Sequence, residues 1–570
     1  MSAQPLSVAV LWHMHQPDYT DAVLGRPRMP WVRLHALLSY YDMVRYVQEQ
    51  PGARAVFNVV PSLLRQLEAA AAGVPDDHLL LARAAPADLD AADRARIVRD
   101  FFAFHHARRF AEFPRLRELW ELRGEGVEVP AGRAERFTDR DLLDLQVLFH
   151  LAWCGRTLRE EPLVARLAAR GSDYTAEDKA ALLACQHAFL QRVLPAYREA
   201  AARGSVEISC TPLNHPILPL LCDTEAAHEA LPQLPLPSAR FRYPGDAWYH
   251  VKTALDETER VLGVRPRGMW PAEGSISETA LRVLQTEGVR WAATDQGVLA
   301  RSLARGGQAA DARRHFQAWR WGGEDAPALF FRDTGLSDAL GFRYQSWRAA
   351  DAVADLLGHL RSIRAETAAA AADHGAGCVV PIILDGENPW EFYENNGRDF
   401  LQAMYRAVAE APDLRWTTFD EHLAAGGRVA ELGRVCAGSW IRADFTTWVG
   451  HAEKNRGWEY LSRVRDRFQE RLAAAGALRR IRLAGGLEVE APDPAVIGPG
   501  CTGPLAAAMT AMANAESSDW FWWYGDDNPT DYAREFDTTF RRHLQQALDL
   551  AGAEADPGLE IPVLLAGGQA

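Results

Sequence analysis

No run of apolar residues in this 570-residue chain approaches the ~18 that a membrane-crossing helix needs. No long apolar segment follows a basic start either, so Leu6 to Trp12 reads as a strand rather than a signal peptide. The seven cysteines are odd in number and include no C-x-x-C pair. That argues against a disulfide framework or a cysteine zinc site and fits a reducing, cytoplasmic setting. No phosphate-binding loop, dinucleotide fingerprint or G-x-S-x-G elbow occurs, which removes the common nucleotide-dependent and serine-hydrolase chemistries. Internal repeats and low-complexity segments are also missing. Positive charge is short as well: the formal net charge of -14 disfavours a nucleic-acid partner and leaves neutral ligands such as sugars unaffected.

Aromatics, by contrast, are plentiful. There are 18 Trp residues, and an indole face matches the apolar face of a sugar ring as well as it fills a core. The length implies more than one folding unit. Short apolar runs at Val8–Trp12, Ala55–Val60, Val206–Cys210, Arg267–Trp270, Trp291–Thr294, Ala328–Arg332 and Cys378–Leu384 alternate with helical stretches. That alternation predicts parallel β/α units, an α/β fold. From about 63 to 203 the spacing turns helical and reads as a large insertion. A strand-helix pair at Leu414–Leu423 is expected to close a barrel over residues 1–425, and residues 426–570 read as a mainly helical C-terminal domain.

Polar clusters fall just after the strands, where β/α barrels carry their sites: His13–Pro17, Thr211–His215, Pro271–Gly274 and Asp385–Trp390. Glu273 follows Trp270-Pro-Ala, and Asp385 ends the apolar Ile382-Ile-Leu. Two carboxylates on separate strand ends are the minimum for glycosidic cleavage, one attacking or activating water and one protonating the leaving oxygen. Glu387 lies two residues beyond Asp385. His13 and His15, two apart, suit a metal, hydrogen bonding within a polar loop, or sugar hydroxyls. Near the C-terminus, Asp519 and Trp522 share a helical face that would suit a sugar platform, while Trp520 and Trp523 fit packing.

Together, His13-Met-His-Gln-Pro17, Glu207 through His215, Trp270-Pro-Ala-Glu-Gly274, Ile383-Leu-Asp-Gly-Glu387 and Asp519 through Trp522 resemble the five ordered motifs of glycoside hydrolase family 57. Ala272-Glu-Gly-Ser275, Asp385-Gly-Glu-Asn-Pro-Trp390, Gly438-Ser-Trp440 and Glu453-Lys-Asn455 look closest to its amylopullulanase-like branch. The resemblance implies an incomplete seven-stranded (β/α) barrel followed by a helical bundle. It also implies a retaining mechanism without metal or other cofactor, acting on α-glucans, with Glu273 as nucleophile and Asp385 as acid/base. His13, His15, His215, Trp270, Glu387, Trp390, Asp519 and Trp522 would contact substrate. Hydrolysis of α-1,4 or α-1,6 bonds, 4-α-glucanotransfer and branching all use that pair. A non-catalytic glucan-binding protein and a metal-dependent deacetylase or mannosidase are the rival classes.

Overall fold

The computed structural model describes residues 4–565 except 22, 127, 128, 130, 131, 309–311, 375, 376 and 388. Asn388, inside the Asp385–Trp390 stretch, therefore lies outside the described residues. Ten strands form the main sheet: β1 Leu6–Met14, β2 Ala55–Val59, β3 Val206–Cys210, β4 Gly268–Met269, β5 Trp291–Asp295, β6 Ala318–Arg320, β7 Ala328–Arg332, β8 Val379–Asp385, β9 Leu414–Trp416 and β10 Val429–Glu431. Seven run parallel in the order β8-β1-β2-β3-β4-β5-β7.

The wall is a barrel with an open seam. The start of β7 pairs antiparallel with β6, which carries β10 on its other edge. Past its end, β7 meets β8 through the Asp333 N–H, which donates to the Pro381 carbonyl at 2.9 Å. The incomplete seven-stranded barrel expected from the sequence is the observed architecture.

Side-chain alternation explains both the core and the site. Ala9 and Leu11 of β1, Val56 of β2, Trp291 and Ala293 of β5, Ala328 and Phe330 of β7, and Val379 and Ile383 of β8 fill the lumen. Val8, Val10 and Trp12 belong to the outer core beneath the helices. With a two-residue period, each inward row ends on a polar residue at the carboxyl rim. The rows end on His13, Asn58, Ser209, Asp295, Arg332 and Asp385.

The Leu414–Leu423 pair does not close the wall, contrary to the sequence expectation. β9 is only three residues long and pairs with Leu6–Val8, the first third of β1. Helix Phe419–Ala424 then places Phe419 in the barrel floor, 4.7 Å from the Trp291 ring and 4.5 Å from Phe330. The fully apolar Phe419 finds no wall position there and plugs the bottom instead.

Helices from Pro61–Ala71 to Val193–Ala202 build the insertion between β2 and β3. After β10 the chain is mainly helical, with Ala452–Ala474, Pro504–Ala515, Ser518–Trp522 and Ala533–Ala551, plus one hairpin at Leu478–Arg482 and Glu488–Pro492. Asp527 gives both carboxylate oxygens to the buried Lys454 ammonium at 2.8 and 2.7 Å.

Candidate active site

Glu273 sits in a single 3₁₀ turn, Ala272–Gly274, that follows β4. Its backbone is left-handed, at φ 57° and ψ 27°, a conformation that costs a side-chain-bearing residue energy and clusters at functional sites. Gly274 repeats the positive φ, and a Cβ there would fall 2.7 Å from the Trp270 ring. Trp270 is 0% exposed and forms the floor on which this turn is wound. The Glu273 backbone carbonyl accepts from the Trp440 N–H at 2.9 Å, and its Oε2 accepts from the Trp440 indole N–H at 2.6 Å. The segment holding Trp440 is itself anchored by a two-way backbone bridge between Ile276 and Gly438. Arg332 lies with its guanidinium 5.1 Å from the Trp440 ring centre, while its Nε donates to the Ile383 carbonyl at 2.8 Å. One buried arginine thus backs the partner of Glu273 and grips the strand that ends in Asp385.

Asp385 is the last residue of β8 and is in register with His13 of β1. The next residue, Gly386, donates its N–H to the His13 carbonyl at 2.7 Å, and a Cβ on it would fall 2.5 Å from the Met14 sulfur. Burial first, and the Asp385 charge second, push the Glu273 carboxyl up to about 8, while the Trp440 indole N–H works in the opposite direction. The Asp385 charge thus reaches Glu273.

Around this pair the histidines form a chain whose tautomers follow from its partners. His13 Nδ1 lies 2.7 Å from Asn58 Oδ1, an acceptor, so Nδ1 carries the proton and Nε2 accepts. His215 Nε2, 3.1 Å from His13 Nε2, must then donate, and His215 Nδ1 accepts from the Ser518 hydroxyl at 2.8 Å. Burial holds His13 down at about 3 and His215 well below the usual histidine range, so both rings are neutral. His215 Nε2 is also 3.7 Å from Glu273 Oε1. Like Glu273, His215 has a positive φ, 60°. His15 Nε2 reaches Asp519 Oδ1 at 2.8 Å, and His15 Nδ1 is a buried atom with no protein partner. The fifth motif therefore closes onto the first across 504 residues of chain, and Ser518 just before it onto the second across 303.

His15, His215 and Asp519 each bring one donor atom within 4.8 Å of the others. Their geometry suits a metal poorly. A coordinated ion lies in the plane of each imidazole, yet the His15 and His215 rings are stacked 3.9 Å apart at 13°, so their planes meet only far beyond the ~2 Å of a metal–nitrogen bond. Both His215 nitrogens also already have partners.

The remaining sequence-derived residues divide. Trp390, at 0% exposure, packs edge-on to Trp12 and donates its indole N–H to the Gly386 carbonyl at 2.7 Å. Trp270 and Trp390 were expected to touch sugar, and both are instead sealed beneath the turns that carry Glu273 and Gly386. Glu387 is buried against the Tyr40 hydroxyl, and burial raises its carboxyl well above the usual range. Trp522 is half-buried beside Trp448, and Trp520 is buried, with its indole N–H on the Asn514 carbonyl at 2.7 Å. Glu207, at the lower end of β3, accepts from the Trp291 indole at 2.7 Å and from the Asp420 N–H at 3.1 Å, deep in the barrel floor. Of the second motif, Ser209 and His215 reach the rim and Glu207 does not. Sequence reasoning passed over Tyr40, Asn58 and Arg332, and quoted Trp440 only within the branch-like Gly438-Ser-Trp440. Asn58 and Arg332 were legible as polar ends of inward strand rows.

A protein-family model described as glycosyl hydrolase family 57 matches residues 9–432. No curated protein matches the chain in sequence. Among solved structures, it is similar to a family-57 branching enzyme from Thermococcus kodakaraensis, at 14% identity and TM-score 0.58 over 97% of this chain and 93% of that one. A branching enzyme from Pyrococcus horikoshii matches at 14% and 0.56, covering 95% and 89%. An α-amylase from Thermotoga maritima matches at 13% and 0.56, covering 96% and 93%. The family model spans most of the chain and both strand-end carboxylates, and the chain belongs to glycoside hydrolase family 57.

Proposed function

We propose that the chain is a retaining enzyme that cleaves α-1,4-glucosidic bonds in α-glucans, with α-1,6 bonds as a further target, through Glu273 and Asp385. The observation that carries this reading is the pairing itself. A strained Glu273 faces Asp385 at the carboxyl rim of the barrel, and an indole N–H is already bonded to the attacking carboxylate. Asp385 protonates the glycosidic oxygen while a Glu273 oxygen attacks the anomeric carbon. Asp385, now ionised, takes a proton from water, which displaces Glu273 with a second inversion. The chemistry requires one proton on the pair, held by Asp385 at the moment of attack. The Trp440 N–H favours the anion on Glu273, against burial and the Asp385 charge, which favour the proton on Glu273, and attack proceeds from the form in which that proton has passed to Asp385. Asp519 fixes the His15 ring, whose partly open side chain is suited to lie against a sugar. No helix among the described residues is long and apolar enough to cross a membrane.

A second reading, transfer to a sugar acceptor, uses the same pair and is favoured by the two structural relatives named as branching enzymes. Incubation with maltooligosaccharides, glycogen and pullulan, followed by product chromatography, separates the two. Short sugars mean hydrolysis, while longer chains or new branches mean transfer. No change in any of these glucans contradicts both.

A further inference from the structure

The chain has 22 Phe and 18 Trp residues. Among those described, only Phe342, Trp347 and Phe392 stand about 40% or more open to solvent, at 71%, 40% and 43%. All three lie on the connecting segments that follow β7 and β8 at the carboxyl rim, residues 333–348, 386, 387 and 389–397, about one-twentieth of the chain. Singly exposed apolar residues need no explanation, but a concentration on two neighbouring segments does. The segments are tied together, since the Tyr393 hydroxyl donates to the Leu340 carbonyl at 2.7 Å. One of them starts directly after Asp385. Two of the rings are held in place. Arg343 and Tyr344 lie 5.6 and 5.4 Å from the Trp347 ring centre, and the His105 ring stands edge-on to Phe392 at 5.1 Å. Buttressed flat rings with one side open suit the C–H face of a pyranose. Continuity with the catalytic rim argues for the same polymer that reaches Asp385.

We propose that Phe342, Trp347 and Phe392 form an aromatic rim that holds outlying glucose units of a long α-glucan while its scissile bond lies at Glu273 and Asp385. This rests on the function proposed above. The test compares the parent enzyme with the triple variant F342A/W347A/F392A on maltotriose and on glycogen, and measures retardation in glycogen-containing native gels in a silent Glu273→Gln background. The expected result is a glycogen KM about five- to tenfold higher and a matching loss of retardation, with kcat/KM on maltotriose within twofold of the parent. Unchanged glycogen KM and retardation would overturn the rim, as would an equal loss on both substrates. If the triple variant melts early, Phe342→Ala alone, the most exposed of the three, must still raise the glycogen KM. A parent that turns over neither substrate overturns the underlying function instead.

Discussion

The Trp440 indole N–H on Glu273 Oε2 is a charge-assisted contact once the carboxylate ionises. Trp440→Phe keeps the ring and removes that donor, so the anion loses stabilisation and the Glu273 pKa rises further. Hydrogen bonds to charged groups contribute about 1.5–3 kcal/mol, so kcat/KM should fall roughly 10- to 100-fold while the melting temperature stays near wild type. A variant within twofold of wild type would show the contact to be idle. Asp385 acts in the other direction. Burial and, after it, this negative charge raise Glu273 to about 8, and a neutral amide at that position removes the second of the two. In Asp385→Asn, therefore, the Glu273 pKa should fall towards the ordinary carboxylate range. An α-glucosyl fluoride needs little protonation to leave, so the first step survives. The ascending limb of its pH profile, read as burst fluoride release, should move to lower pH. An unmoved limb would mean that the two groups do not couple. At this scale the sequence reading put Glu273, Asp385 and His13 at or just past strand ends, where the structure has them, and overlooked Asn58 in the same kind of position. It was misread for Trp270 and Trp390, because a Trp beside a catalytic turn carries the same signature whether it faces sugar or holds the turn from below.

Among elements, the strand periods carried the most information. An inward row such as Ala9, Leu11, His13 is apolar until it reaches the rim, which places each row's last residue in the site before any contact is known. The role of Leu414–Leu423 was not legible, because a short strand reads alike whether it completes a wall or lies on the foot of another strand. Nor could sequence show how helix Pro244–Leu262 grips the C-terminal helices. There Arg465 binds Asp246 through two hydrogen bonds of 2.6 and 2.8 Å, and His250 lies 2.8 Å from Glu516, all fully buried. Glu516 leads directly into Ser517, Ser518 and Asp519, so this cluster sets the height at which Asp519 meets His15. Asp246→Ala leaves Arg465 buried without a counter-charge, a loss of about 3–5 kcal/mol where a buried pair is broken from one side. A clear drop in melting temperature is expected. A variant melting within a degree of wild type would show the cluster to be dispensable for stability.

The molecule as a whole works as a barrel whose open seam is stitched by Arg332 and whose mouth is completed from the far end of the chain. His15 on Asp519 and His215 on Ser518 each span some 300 to 500 residues, so neither the barrel nor the C-terminal helices alone contains the site. That dependence was visible in the sequence only through a resemblance of ordered motifs, since nothing in local spacing links Asp519 to His15. The central claim is a double displacement in which Glu273 is the atom-bonding group. Its most direct test is to treat the intact enzyme with a 5-fluoro-α-glucosyl fluoride, whose ring fluorine slows hydrolysis of the intermediate, and to map the adduct by mass spectrometry. The account predicts one added fluoroglucosyl group per chain, on the peptide bearing Glu273, and none in Glu273→Gln. An adduct on another carboxylate, or turnover of glucan with inversion at the anomeric carbon and no adduct, would contradict it.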